Sequence, residues 1–125
     1  IHPQKSNTDE AYDAALRFCL GRLDHLALCV GTHNEKSNLL TVQLMKELGI
    51  SSQDSRVYFA QLLGMSDTLT FNLAHANYLA AKYVPYGAVR TMMPYLVRRA
   101  KENSSVHGQT TRELELVRRE LRRRS

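Results

Sequence analysis

The chain has 125 residues, 43% of them apolar and 23% charged, with a formal charge of +5 at pH 7. That length suits one domain around one core, and the composition excludes a fibrous or disordered chain. No apolar run approaches the roughly 20 residues needed to cross a bilayer.

The first residues, Ile1 to Ser6, are polar and read as no secretory signal. A start at Ile rather than Met is expected of a chain that is processed or cut from a longer one. Cys19 and Cys29 stand in no disulfide or metal pattern and are expected as small buried thiols in a reducing compartment.

Along the chain, Asp9 to Leu23 repeats Ala15, Leu16, Cys19, Leu20 and Leu23 at helical spacing, with Asn7 or Thr8 available as a cap. Leu26 to Val30 is a short continuous apolar run, which suits a strand buried on both faces. Glu35 to Leu48 reads as a helix, started by Thr32 or Asn34 and stopped by Gly49. Val57 to Leu63 is a second strand, and Asp67 can cap a helix running to Ala76. Ala80 to Val84 is a third strand, closed by Pro85-Tyr86-Gly87. Ala88 to Asn103 is helical, with Pro94 expected to kink or restart it. Ser104 to Thr110 reads as a linker, and Thr111 to Arg124 as a charged last helix.

The order α-β-α-β-α-β-α-α implies parallel strands joined by crossover helices. Three such strands fit an open sheet or part of an eight-stranded barrel. No glycine-rich phosphate loop follows a strand, which disfavours a dinucleotide-binding unit of the Rossmann type.

In either architecture the working residues lie at the carboxyl ends of the strands. Here those ends are Thr32-His33-Asn34, Leu62-Leu63-Gly64 and Tyr83-Val84-Pro85-Tyr86. His33 can be a loop hydrogen-bonder or a donor to a cofactor's phosphate or sugar. No ligand spacing makes it a metal site. Tyr95, Arg98, Arg99 and Glu102 share one helix face at i, i+3, i+4 and i+7. They form either an exposed face with an Arg98–Glu102 pair, or a clamp whose guanidinium forks grip a carboxylate.

The charge excess sits at the C-terminal end. Ten Lys/Arg face four Glu from Ala88 onward, against seven and eight acids before it. The basic end from Arg118 to Arg124 is a solvated helix end or a surface for nucleic acid or anionic membrane.

Four ordered motifs resemble one family. Tyr95 to Asn103 is similar to the Y-x-x-R-R-x-x-E-N signature of proline dehydrogenases. Thr32-His33-Asn34, Phe59 to Met65 and Lys82 to Gly87 resemble three strand ends of that family, over roughly Asp24 to Val106. The resemblance implies the C-terminal part of a (β/α)8 barrel over residues 1–106, followed by a basic helix or tail over 107–125. It implies FAD as cofactor, L-proline as substrate and pyrroline-5-carboxylate as product. Electrons then pass to a quinone, with peripheral membrane association and no nucleic acid.

By position, Arg98 and Arg99 would bind the proline carboxylate, and Glu102 would hold one of them. Tyr95, Tyr83 and Leu62 would wall the ring, and Thr32 and His33 would contact FAD. None of these residues is expected as the catalytic base. Tyr83 would favour proline over hydroxyproline, because related hydroxyproline dehydrogenases tend to have a smaller residue there. The resemblance implies the mitochondrial matrix and inner membrane in a eukaryote, or the cytoplasmic membrane face in a bacterium. It also implies that the missing strands supply a substrate-binding lysine and most flavin contacts, so this chain alone is expected to bind flavin poorly. Two other readings stay open: a hydroxyproline dehydrogenase on the same scaffold, and a basic α/β binding module.

Overall fold

The computed structural model describes residues 2–105 and 109–124, with side-chain surroundings described up to Arg99 and again from Leu114. Among the described residues the elements run α1 (Lys5–Leu20), β1 (Leu28–Gly31), α2 (Glu35–Glu47), β2 (Val57–Leu62), α3 (Asp67–His75), β3 (Ala80–Tyr83), α4 (Val89–Ser105) and α5 (Gln109–Arg124). The three strands form one parallel sheet in the order β1-β2-β3. This is the expected α/β class, consistent with part of a barrel. The chain divides into two compact units, Ile1–Tyr83 and Val84–Ser125.

In the first unit the register sets Val30 beside Phe59, and Phe59 beside Ala80. Val30 and Phe59 are fully buried and meet Leu16 and Leu20 of α1, Leu44 and Met45 of α2, and Leu73 of α3 in one core. Tyr78 closes that core edge-on against Phe59, with ring centroids 5.7 Å apart. Burying side chains of this size contributes roughly 1.5–3 kcal/mol each, which drives the helices onto this face.

The strands are not buried on both faces. In β2, Val57, Phe59 and Gln61 are buried while Tyr58 is exposed. Cys29, Gly31, Tyr58, Ala81 and Tyr83 are all exposed on the opposite face, and both cysteines are free. The apolar runs thus exceed what the unit itself covers: helices pack on one face only. Cys29 stands on the bare face, and its expected burial fails for that reason.

Boundaries moved where local bonds outweigh the cap signals. Helix α1 starts four residues before Asp9: the amide of Thr8 donates to the carbonyl of Gln4, and Lys5 pairs with Asp9 one turn on. Asn7 and Thr8 therefore lie inside the helix. Asn34 does cap α2, its side chain accepting from the amide of Lys36 at 3.0 Å. Gly49 ends that helix at φ +67°, a conformation that disfavours any residue with a Cβ. Asp67 is the first residue of α3 and not its cap. Ser66 precedes it with left-handed backbone.

At the amino ends of the strands, Arg56 ties the sheet to the turn that follows α1. Its guanidinium donates to Asp54 and to the carbonyl of Leu23, while its own carbonyl accepts from Leu28. The side-chain and backbone hydrogen bonds from Arg56 hold Asp54 down to a pKa of about 2.

In the second unit α4 runs through Pro94 without a break. The proline sits in the second turn, so one backbone bond is lost rather than a helix. Ser104 and Ser105 extend α4, and Gln109 and Thr110 already belong to α5. The rest of the expected linker, 106–108, lies outside the described residues, as does the expected domain boundary at Val106. No helix among the described residues is long and apolar enough to cross a membrane.

Candidate functional site

Parallel strands place all three carboxyl ends on one edge of the sheet. Thr32 and His33 follow β1, Leu62 ends β2, and Tyr83 ends β3. Leu62 and Tyr83 are direct neighbours in register and lie on the bare face. One row back, Gly31, Ala60 and Ala81 align across the strands. A Cβ built on Gly31 would touch nothing within 4 Å. The bare face therefore presents a shallow strip of small residues beside a leucine and a tyrosine.

A buried polar cluster fixes the edge from behind. Asn38 and Gln61 are 0% and 2% exposed, positions where an unpaired amide costs about 1–3 kcal/mol. The Gln61 amide nitrogen donates to the Thr32 carbonyl at 3.3 Å, and its oxygen accepts from the Thr70 hydroxyl at 2.8 Å. The Asn38 amide donates to the same Thr32 carbonyl at 3.2 Å and to the Asn34 carbonyl at 2.8 Å. One backbone oxygen at the mouth of β1 thus receives two side-chain amides. The Thr32 hydroxyl in turn accepts from the amide of Asn34 at 3.0 Å.

The loop after β2 is held from both sides. His33 Nδ1 lies 3.1 Å from the hydroxyl of Ser66. From β3, Lys82 donates to the Met65 carbonyl at 2.6 Å and pairs with Asp67, also at 2.6 Å. Ser66 keeps its left-handed backbone, φ +50°, between these two ties. Strain of this kind persists only where neighbours over-determine it.

In the second unit Tyr95, Arg98 and Arg99 sit on α4. The Arg99 guanidinium lies over the Tyr95 ring, 5.5 Å from its centroid. That contact holds one guanidinium plane without using its acceptor-seeking edge. Arg98 is exposed. Glu102 is on the same helix, and its side chain lies outside the described residues, so the Arg98–Glu102 pair is not among the contacts described. Each unit keeps its own expected residues together: Thr32, His33, Leu62 and Tyr83 in the first, Tyr95, Arg98 and Arg99 in the second.

Asn38, Gln61, Thr70 and Lys82 were not singled out from sequence. The available signal was a polar residue at an inward position of an apolar strand, as Gln61 is in Val57 to Leu62. No cluster of three His, Cys, Asp or Glu able to hold a metal occurs among the described residues.

A model of the proline dehydrogenase family matches residues 1–112. The chain belongs to the proline dehydrogenase family. Human "Proline dehydrogenase 1, mitochondrial" is 45% identical over 127 aligned residues, covering 99% of this chain and 21% of the human protein. The bovine protein of that name is 43% identical over the same shares. "Hydroxyproline dehydrogenase" of Xenopus laevis is 50% identical over 97 residues, 78% of this chain and 21% of its own length. The chain spans about one-fifth of the length of these proline dehydrogenase family relatives. No solved structure matches it.

Proposed function

We propose that this chain forms the C-terminal part of an FAD-dependent proline dehydrogenase barrel, an oxidoreductase of proline catabolism converting L-proline to pyrroline-5-carboxylate. The observation that carries the proposal is the ordered carboxyl edge. Thr32, His33, Leu62 and Tyr83 lie together on an edge fixed by buried amides, beside a strip of small residues that suits a flat ring.

Thr32 and His33 would hold the cofactor at that edge, where half-buried hydroxyl and imidazole groups suit a phosphate or sugar. FAD, when bound, supplies the hydride acceptor. The chain's own residues orient the substrate and exclude water. Arg98 and Arg99 would bind the carboxylate, Arg99 with its plane set by Tyr95. Glu102 would position one of the two arginines. Tyr95, Tyr83 and Leu62 would wall the ring. A quinone as next electron acceptor, and peripheral attachment to the membrane that carries it, complete the proposal. The site would be the mitochondrial matrix and inner membrane in a eukaryote and the cytoplasmic membrane face in a bacterium.

The test uses the full-length protein. Anaerobic L-proline is expected to bleach its flavin. Arg98→Met and Arg99→Met are expected to raise the proline KM by about a hundredfold each, as loss of a charge-assisted pair predicts, with flavin content unchanged. Flavin that stays oxidised under proline would end the reading.

A second reading, hydroxyproline as substrate, has the 50% identity to the Xenopus protein in its favour. Tyr83 favours proline, since its ring occupies room a ring hydroxyl needs. Tyr83→Ser is expected to shift the kcat/KM ratio toward hydroxyproline by tenfold or more; an unchanged ratio would remove Tyr83 from the substrate wall.

A further inference from the structure

Ser66 forgoes the usual role of a serine at a helix start. It occupies the N-cap position of α3, where a serine oxygen ordinarily accepts from an amide of the first turn. Here the side chain makes no such bond. The backbone is left-handed, φ +50° and ψ +41°, and the hydroxyl lies 3.1 Å from His33 Nδ1 instead. Both features cost stability. A cap is given up, and a residue with a Cβ is held where glycine alone sits freely.

Glycine would take this conformation without strain, as Gly64 does two residues earlier at φ +77°. What serine adds over glycine at position 66 is a hydroxyl, and the partner of that hydroxyl is His33.

The backbone around Ser66 is fastened at three successive residues. The Lys82 side chain is 19% exposed, and its ammonium meets the Met65 carbonyl and the Asp67 carboxylate, each at 2.6 Å. A longer bond reaches the Leu62 carbonyl at 3.4 Å. One ammonium on β3 thus holds the residues on either side of Ser66. The Ser66 carbonyl is occupied as well, accepting from the amide and the hydroxyl of Thr70 at 3.1 and 3.2 Å. The hydroxyl is therefore presented to the imidazole from a rigid loop. A bond at one nitrogen of a neutral imidazole sets the ring plane and decides which nitrogen carries the proton.

We propose that Ser66 is a positioning residue for the cofactor. Held by the Lys82–Asp67 latch, its hydroxyl fixes the ring plane and tautomer of His33, which contacts FAD. This rests on the reading above that His33 touches the cofactor, and it names the residues that keep the imidazole in place.

The test is FAD affinity of the full-length protein, read by titration of FAD fluorescence, together with the Tm of the flavin-free protein. Ser66→Gly removes the hydroxyl and relieves the backbone. It is expected to weaken FAD by roughly three- to tenfold, the worth of one hydrogen bond, with no loss of Tm. Lys82→Met frees residues 65 and 67, keeps the hydroxyl, and is expected to act in the same direction. In a His33→Ala background neither substitution should weaken FAD further.

If Ser66→Gly binds FAD as tightly as the unaltered protein while His33→Ala binds it weakly, the positioning role is overturned and the His33 reading stands. Unchanged affinity in His33→Ala would overturn that reading and the positioning role with it. An equal loss from Ser66→Gly with and without the imidazole would also overturn the proposal, because the hydroxyl would then act by another route.

Discussion

Gln61 shows how much one side chain can decide. It stands in a strand yet spends both ends of its amide on neighbours, giving hydrogen to Thr32 and taking it from Thr70. Replacing it with leucine keeps the bulk but removes two hydrogen bonds, leaving the Thr32 carbonyl with the Asn38 amide alone and the Thr70 hydroxyl with the Ser66 carbonyl alone. Gln61→Leu is expected to destabilise the full-length protein by about 1–3 kcal/mol in urea unfolding. A change near zero would mean the cluster is slack.

Asp54 makes a prediction of a different kind. Hydrogen bonds from Arg56 lower its pKa from 3.8 to about 2. A carboxyl depressed by folding contributes stability that is complete above the unfolded value and lost as pH falls toward the folded one. The stability gap between the unaltered protein and Asp54→Asn should thus be constant above about pH 5 and should shrink progressively as pH falls from about 5 through about 2. A gap as large at about pH 2 as at about pH 6 would contradict the assignment. Arg98 and Arg99 were legible as candidates because helical spacing alone aligns them. Gln61 and Lys82 were not, because a polar residue on a strand means little until its partners, 9 to 29 residues away, are known.

At the scale of elements, the order of helices and strands was readable, since apolar period marks most of them and a glycine stop several. Gly49 is an instance, and its positive φ gives the expectation weight. Gly49→Ala should cost about 1 kcal/mol, measured as a lowered Tm, because alanine pays for the left-handed backbone. An unchanged Tm would show that the α2 end relaxes. What the sequence hid in α2 was its buried stripe. Ser37, Asn38, Thr41, Leu44 and Met45 share one face, polar at the first turns and apolar at the last. A search for apolar periodicity sees only the second half. The polar half makes sense only once Asp13 is found bonded to Ser37 and Thr32 to Asn38. The helix end at Ser66 was hidden likewise: a left-handed serine held by its neighbours leaves no propensity signal.

At the scale of the molecule, the sheet has one face covered by the helices of its own unit and one that those helices leave bare. Strand pattern predicted burial on both, which holds only for a chain whose second face is covered by something this unit does not contain. Odd and even positions of β2 consequently answer to different demands. A saturation library across residues 57–62, screened for folded protein alone, should give a comb: intolerant at Val57, Phe59 and Gln61, permissive at Tyr58, Ala60 and Leu62. Screened instead in the full-length protein for the proposed oxidation of proline, the gaps between the teeth should fill. The difference between the two maps would separate residues that keep the chain folded from residues that keep it useful.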